Sequence, residues 1–339
     1  MKRIGILFGQ ERSFPYALIE RINRAGAPVA AEPVHIGGVR LDSPKSYDLI
    51  LDRISQDIPF YRAILKKAVA DGTIVVNNPF WWSADDKFFN NVVARAVGVA
   101  VPKTVLLPSN QHPPDTTSES MSNLVYPLDW DEMFQYVGFP AYFKPYSGGG
   151  WKSVYSVTNP DEFFEAYRAS GQNVMTLQEE IVFDQYFRCY AIGRKDVHLM
   201  RYDPREPHAG RYAKNPPPID AALSERLHAD CLKLTGALGY DFDTLEFAVR
   251  DGIPYAIDFL NPAPDADVHS VGPENFTWVV EHAAKWLIDR VQEETPAVTD
   301  YRWQGFLAGG NGPSGKRPAA RPRRPAAPRP AAPRPRREA

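Results

Sequence analysis

Lys144 closes an apolar run over residues 139–144 and is followed within a few positions by Ser147-Gly148-Gly149-Gly150. A fixed amine beside a flexible stretch of backbone N–H donors suits polyphosphate, since the lysine supplies charge and the glycines let the main chain approach anionic oxygens. Taken alone, the same pair fits a surface lysine next to a tight hairpin. Further along, Glu246 and Asp258 fall on two apolar runs, 245–249 and 255–260, separated by Asp251-Gly252. These runs read as a β-hairpin. A three-residue loop, Asp251-Gly252-Ile253, would set the two carboxylates opposite each other on one face; a two-residue loop would not. Adjacent carboxylates repel unless a cation lies between them, and oxygen donors with Asn261 nearby favour Mg2+ over zinc. A solvated hairpin face is the competing reading, although Asp258 among Ile257, Phe259 and Leu260 needs a cation or donors if it is buried. His208 and His269 have no Cys or His at ligand spacing, so zinc is not expected.

The elements that would carry these residues alternate. Residues 3–9 read as a strand, followed by a helix with Ser13 as N-cap and Gly26 as terminator. Residues 47–53 form a second strand, 59–70 a helix ended by Asp71-Gly72, and 73–77 a third strand, so a parallel, doubly wound sheet is expected over residues 1–79. Ser83 is read as the cap of a helix with Phe88, Phe89, Val92, Val93 and Ala96 on one face, stopped by Gly98 and Pro102. From 108 to about 130 the chain is polar and receives no assignment. Residues 139–144 and 153–157 form a hairpin around the glycines, a helix opens at Asn159-Pro160, 174–182 and 188–201 add strands, and 221–238 and 273–292 are helices.

At 339 residues with 44% hydrophobic content, the chain can bury two or three α/β units. Its formal charge of -2 hides an asymmetry: residues 316–339 carry nine Lys or Arg against one Glu, so the remainder is acidic. Nucleic acid is therefore not expected on the body and only weakly along the tail. Residues 301–339, rich in Pro, Ala and Arg, are expected to be disordered. Cys189 and Cys231 are too few for a secreted disulfide framework and read as buried thiols. The apolar run at residues 4–8 is too short for a signal peptide or a membrane span, so a cytoplasmic protein without membrane contact is expected.

The order of these features resembles the ATP-grasp superfamily, in particular carboxylate-amine ligases such as glutathione synthetase, D-alanine-D-alanine ligase and the ribosomal-protein glutamate ligases. The likeness extends to about residue 292. Asp86-Lys87, a helix and Gly98 to Pro102 are similar to that family's phosphate-reaching lysine. Gly138-Phe139-Pro140 through Lys144-Pro145, with Ser147, Gly148, Gly149 and Gly150, are similar to its second lysine and mobile loop. Gln178-Glu179-Glu180-Ile181 is similar to its adenine hinge, and the segment from Arg188 to Arg201 to one ending in an arginine aimed at the transferred phosphoryl group. Glu246 and Asp258 match its metal acids. The family's acid-x-Asn is here Asp258-Phe259-Leu260-Asn261, with one residue more.

The resemblance implies a doubly wound pre-ATP-grasp domain over 1–79, ATP-grasp lobes over 80–172 and 173–300, and ATP with Mg2+, two ions with Mn2+ admissible. It implies Lys144 and Arg201 as catalytic residues, with Lys87, the glycine loop, the hinge and Arg188 on the nucleotide and Glu246, Asp258 and Asn261 on the metal. Arg53, at the carboxyl end of a strand, and Arg211, in a basic lid, are candidate substrate contacts, as is Asp265, which with Asp267 would attract a protonated amine. The implied activity joins a small-molecule or peptide carboxylate to an amine, or to a thiol, through an acyl phosphate. A Mg-ATP-binding protein without turnover and a phosphotransferase are the alternatives, and self-association stays open.

Overall fold

The computed structural model describes residues 1–80, 86–207, 210–214 and 216–293. Ser83, His208 and the tail over 301–339 lie outside them. Strands β1 (Lys2–Leu7), β2 (Val29–Pro33), β3 (Leu49–Asp52) and β4 (Ile74–Val76) form a parallel sheet in the order β2-β1-β3-β4. Helices α1 (Ser13–Asn23) and α2 (Pro59–Ala70) make the crossovers. Strand β2 has no counterpart among the sequence expectations, because Val-Ala-Ala-Glu-Pro is short and offers weak alternation. Arg12, not Ser13, caps α1; the Ser13 hydroxyl donates to Asp267 at 2.7 Å instead and accepts from the Val268 N–H.

Helix α3 (Lys87–Ala96) begins where Asp86 accepts from the Phe89 N–H at 2.6 Å. Its buried positions are Asn90, Asn91, Val93 and Ala94, while Val92 is exposed, so the face runs one step off the expected apolar stripe. A second sheet is antiparallel in the order β5-β8-β6-β7, built from β5 (Thr104–Leu107), β6 (Ala141–Pro145), β7 (Tyr155–Val157) and β8 (Met175–Glu179). Helices α4 (Trp130–Val137) and α5 (Pro160–Ala169) cover it through an aromatic core of Trp130, Phe134, Phe143, Phe163 and Tyr167. Asn159 caps α5, as the Asn-Pro pair predicts.

The third sheet, in the order β10-β9-β11-β12, contains β9 (Gln185–Ile192), β10 (Asp196–Arg201), β11 (Phe242–Arg250) and β12 (Ile253–Asp258). Its two faces differ. Phe187, Cys189, Leu245 and Phe247 pack with Leu227, Cys231 and Leu234 of α6 (Ala221–Leu238). Tyr186, Tyr190 and Phe242 belong instead to the core that contains α1, β1 and α7 (Pro273–Gln292). The alternation along β9 therefore sends Tyr186, Arg188 and Tyr190 to one side and Phe187 and Cys189 to the other. Both cysteines are buried thiols. No described helix is long and apolar enough to cross a membrane.

Candidate active site

The site grows from one rung of the third sheet. Arg188 on β9 stands directly opposite Glu246 on β11, and Glu246 directly opposite Asp258 on β12. The β11–β12 loop has two residues, since Arg250 pairs with Ile253 and both Asp251 (φ 54°) and Gly252 (φ 74°) are left-handed. That loop alone would put Glu246 out of step with Asp258. A β-bulge next to Glu246 and Phe247 inserts the compensating residue on β12, so the carboxylates meet by a route other than the expected three-residue loop.

Glu246 is held from both ends. The Tyr186 hydroxyl donates to it at 2.7 Å, and an Arg188 guanidinium nitrogen lies 3.8 Å away. Asp258 accepts from the Lys87 ammonium at 3.2 and 3.4 Å. Burial pushes the Asp258 carboxyl up, but the charges of Lys87 and Lys144 more than reverse this, leaving it below its ordinary range. Helix α3 can deliver Lys87 here because its first N–H donates to the Tyr146 carbonyl at 2.7 Å, which ties the helix start to the end of β6. On β6, Lys144 is buried and its amine makes no hydrogen bond among the described residues. Burial first, then the nearby charge of Lys87, pull Lys144 down to about 8 against the opposing pull of Asp258 and Glu246. Two lysines from separate elements thus share the field of the two acids.

Two oxygen-bearing side chains extend the rung. Thr244, two residues before Glu246 and on the same face, accepts from Arg188 and from the Asn261 amide, each at 3.3 Å. Asn261 is further fixed by its own N–H, which donates to Asp243 at 2.8 Å. It therefore sits beside Thr244, one step along the strand from Glu246. Among the described residues no cluster of three or more His, Cys, Asp or Glu is arranged to hold a metal. The donor set is two carboxylates with neutral oxygens and no sulfur or imidazole. That fits a hard cation such as Mg2+, which keeps several waters and shares phosphate oxygens.

Ser147, Gly148, Gly149 and Gly150 lie in an exposed loop between β6 and β7, with Gly148 and Gly150 at positive φ. At the expected hinge, Gln178 is buried and donates to Thr104, and Glu179 pairs with Arg250 at 2.9 Å. The Glu180 N–H donates to the Pro140 carbonyl at 3.2 Å.

Two expectations about arginines need correcting. Arg201 pairs in register with Phe187, one residue off Arg188, so it leaves the sheet on the opposite face. It lies over the Phe187 ring at 5.2 Å and donates to Gln185, Pro217 and Pro218. Arg188, not Arg201, shares the face of the acids. Arg53 is wholly buried. It forms a two-pronged pair with Glu11, donates to the Pro264 carbonyl at 2.6 Å and stacks on Phe14 at 4.7 Å, so it ties the first sheet to the 264–270 segment and does not face a ligand. Replacing Arg53 by Met is expected to cost about 3 kcal/mol by leaving Glu11 and that carbonyl without their partner, readable in urea unfolding. Asp265 lines a cavity, and its two oxygens each accept one hydrogen bond, from the Asp267 N–H and the Ser270 hydroxyl. Of the remaining candidates, Arg211 lines the same cavity of about 450 Å³ beside Arg188, Tyr202 and Tyr212. Tyr212, read with Arg211 as part of a basic lid over an anionic substrate, lines it too. Tyr186, Thr244 and Tyr202 escaped sequence reasoning; the two-residue spacing of Tyr186 to Arg188 and of Thr244 to Glu246 was the available signal.

No family model matches the sequence, and no curated protein does. Solved structures do. The D-alanine–D-alanine ligase of Bacillus anthracis is 19% identical, superposes with a TM-score of 0.54 and shares 86% of this chain and 96% of its own. The RimK domain protein ATP-grasp of Sphaerobacter thermophilus DSM 20745 is 15% identical at a TM-score of 0.60, covering 86% of this chain and all of that one. The ATP-grasp ligase PsnB, solved with minimal precursor, Mg and ADP, is 13% identical at a TM-score of 0.57 over 86% and 98%. With a parallel sheet followed by two antiparallel ones, the chain has the ATP-grasp fold.

Proposed function

We propose that the protein is a Mg-ATP-dependent ligase that activates a carboxylate as an acyl phosphate and passes the acyl group to an amine. The observation that carries this reading is the convergence of Lys87, Lys144 and Arg188 on only two carboxylates, Glu246 and Asp258. Three cations against two acids leave an excess of positive charge, and two neighbouring amines repel until an anion arrives. Triphosphate supplies that anion. Solved relatives of the same fold include one complexed with ATP and one with Mg and ADP.

Lys87 leaves Asp258 for the phosphate oxygens, Lys144 meets them from β6, and the backbone of the 147–150 loop covers them. Glu246 and Asp258 would hold Mg2+, with Asn261 and Thr244 behind them. Bound magnesium neutralises charge on the β- and γ-phosphates. Arg188, whose Nε is buried without a partner, takes the role first assigned to Arg201 and stabilises the transferring phosphoryl group. A carboxylate oxygen attacks the γ-phosphorus and ADP leaves; the amine nitrogen then attacks the carbonyl carbon, phosphate leaves and the nitrogen loses a proton. The adenine edge rests on the backbone of Glu180 and Ile181.

ADP release measured over a panel of carboxylates, with and without amines, tests the reading. Amine-dependent amide formation supports the ligase. A stable phosphorylated product would make it a phosphotransferase, and nucleotide binding without turnover a binding protein.

A further inference from the structure

The cavity of about 450 Å³ opens beside Arg188, on the flank of the rung away from β12. Its lining separates into groups that are spent and groups that are not. Each oxygen of the two acids already accepts one bond: Asp265 accepts from Ser270 and the Asp267 N–H, and Asp267 accepts from Ser13 and the His269 N–H. The unspent groups are donors. Tyr212 is only 8% exposed, and its hydroxyl, like Arg188 Nε, is buried with no hydrogen-bond partner. Arg211 brings a second guanidinium, anchored by Nε on the Glu206 carbonyl and by one Nη on the Tyr202 hydroxyl at 3.2 Å. Burial pushes the Tyr212 phenol well above its ordinary value, so it is a proton donor at any physiological pH. Leaving buried donors unpaired costs free energy in the empty protein, and the cost is recovered only when an acceptor-rich group enters.

Resting on the ligase reading, we infer that the substrate carries a second anionic group besides the carboxylate that is activated, and that Arg211 and the Tyr212 hydroxyl bind it. The reacting carboxylate lies toward Glu246 and Arg188; the second group, a carboxylate or a phosphate, lies toward Arg211 and Tyr212. Tyr202 is bridged antiparallel to Tyr212 and the Asp203 N–H donates to the Arg211 carbonyl, so both donors ride on one backbone unit.

Calorimetry on the full chain, loaded with Mg2+ and a non-hydrolysable ATP analogue, tests this with succinate, glutarate, adipate and pimelate against their monocarboxylate counterparts. At least one dicarboxylate is expected to bind about tenfold or more tightly than its monocarboxylate, as charge-assisted hydrogen bonds imply. Arg211→Gln and Tyr212→Phe should each erase that preference and leave the affinity for the nucleotide analogue unchanged. Tyr212→Phe should keep or raise the melting temperature, because the hydroxyl it removes has no partner in the free protein. A preference for ω-phosphono carboxylates over both series, lost in the same variants, supports the inference with phosphate as the second anion. Equal binding of mono- and dianions throughout, or a preference that survives both substitutions, overturns it while the nucleotide still binds. Failure of the nucleotide analogue to bind overturns the ligase reading itself.

Discussion

Replacing Asp258 by Asn is expected to reduce magnesium-dependent turnover by about a thousandfold or more, the loss that follows when several kcal/mol of metal-mediated charge stabilisation disappears. The side chain ends β12 and pairs with Lys87, so the amide replaces it with little disturbance to packing. A hard cation needs anionic oxygen, and an amide carbonyl offers only a dipole. Glu246→Gln should act in the same direction and add a structural cost, because Arg188 and Tyr186 both address that carboxylate. ADP release against a magnesium titration, with circular dichroism to verify folding, measures both. Normal magnesium-dependent rates in folded Asp258→Asn and Glu246→Gln would remove the metal assignment.

Much of the architecture was legible because it rests on local chemistry. Asn159-Pro160 starts a helix and Asp251-Gly252 makes a turn whatever surrounds them. Helices over 59–70 and 221–238 are amphipathic enough to declare their own bounds. What failed were properties that depend on register. The bulge near Glu246 depends on how β12 meets both β11 and the Ala100 backbone, where the Ala256 N–H donates to the Ala100 carbonyl at 2.8 Å. Arg201 and Arg188 are both arginines on neighbouring strands, and only the pairing of Arg201 with Phe187 reveals that they face opposite ways. Arg53 has the strand-end position expected of a ligand contact. Its burial comes from Glu11 and Pro264, residues far apart in sequence whose approach no local pattern encodes.

Lys144 gives the second large effect, and here stability and function are expected to move in opposite directions. Its ordinary value of 10.5 falls to about 8 in the folded chain, first through burial and then through Lys87. Between those two values the unfolded chain binds more protons than the folded one, so this residue makes stability rise with pH across about 8 to 10.5, the reverse of a lysine with a salt-bridge partner. Below about pH 8 the amine is charged in both states, and the fold bears the full penalty, on the order of 3 kcal/mol. Lys144→Met should therefore raise the melting temperature at neutral pH and remove the rise in stability above it. The same substitution should weaken ATP binding by about a hundredfold, because charge-assisted bonds to phosphate oxygens are lost. Arriving phosphates favour the charged amine, so at about pH 9 the parent protein should take up close to one proton on binding ATP, as linkage requires of a group whose pKa rises in the complex. Calorimetry in buffers of different ionisation enthalpy reads that proton directly, and Lys144→Met should abolish it. If the parent binds ATP at about pH 9 with no proton uptake, or the variant binds as tightly as the parent, Lys144 does not contact the phosphates.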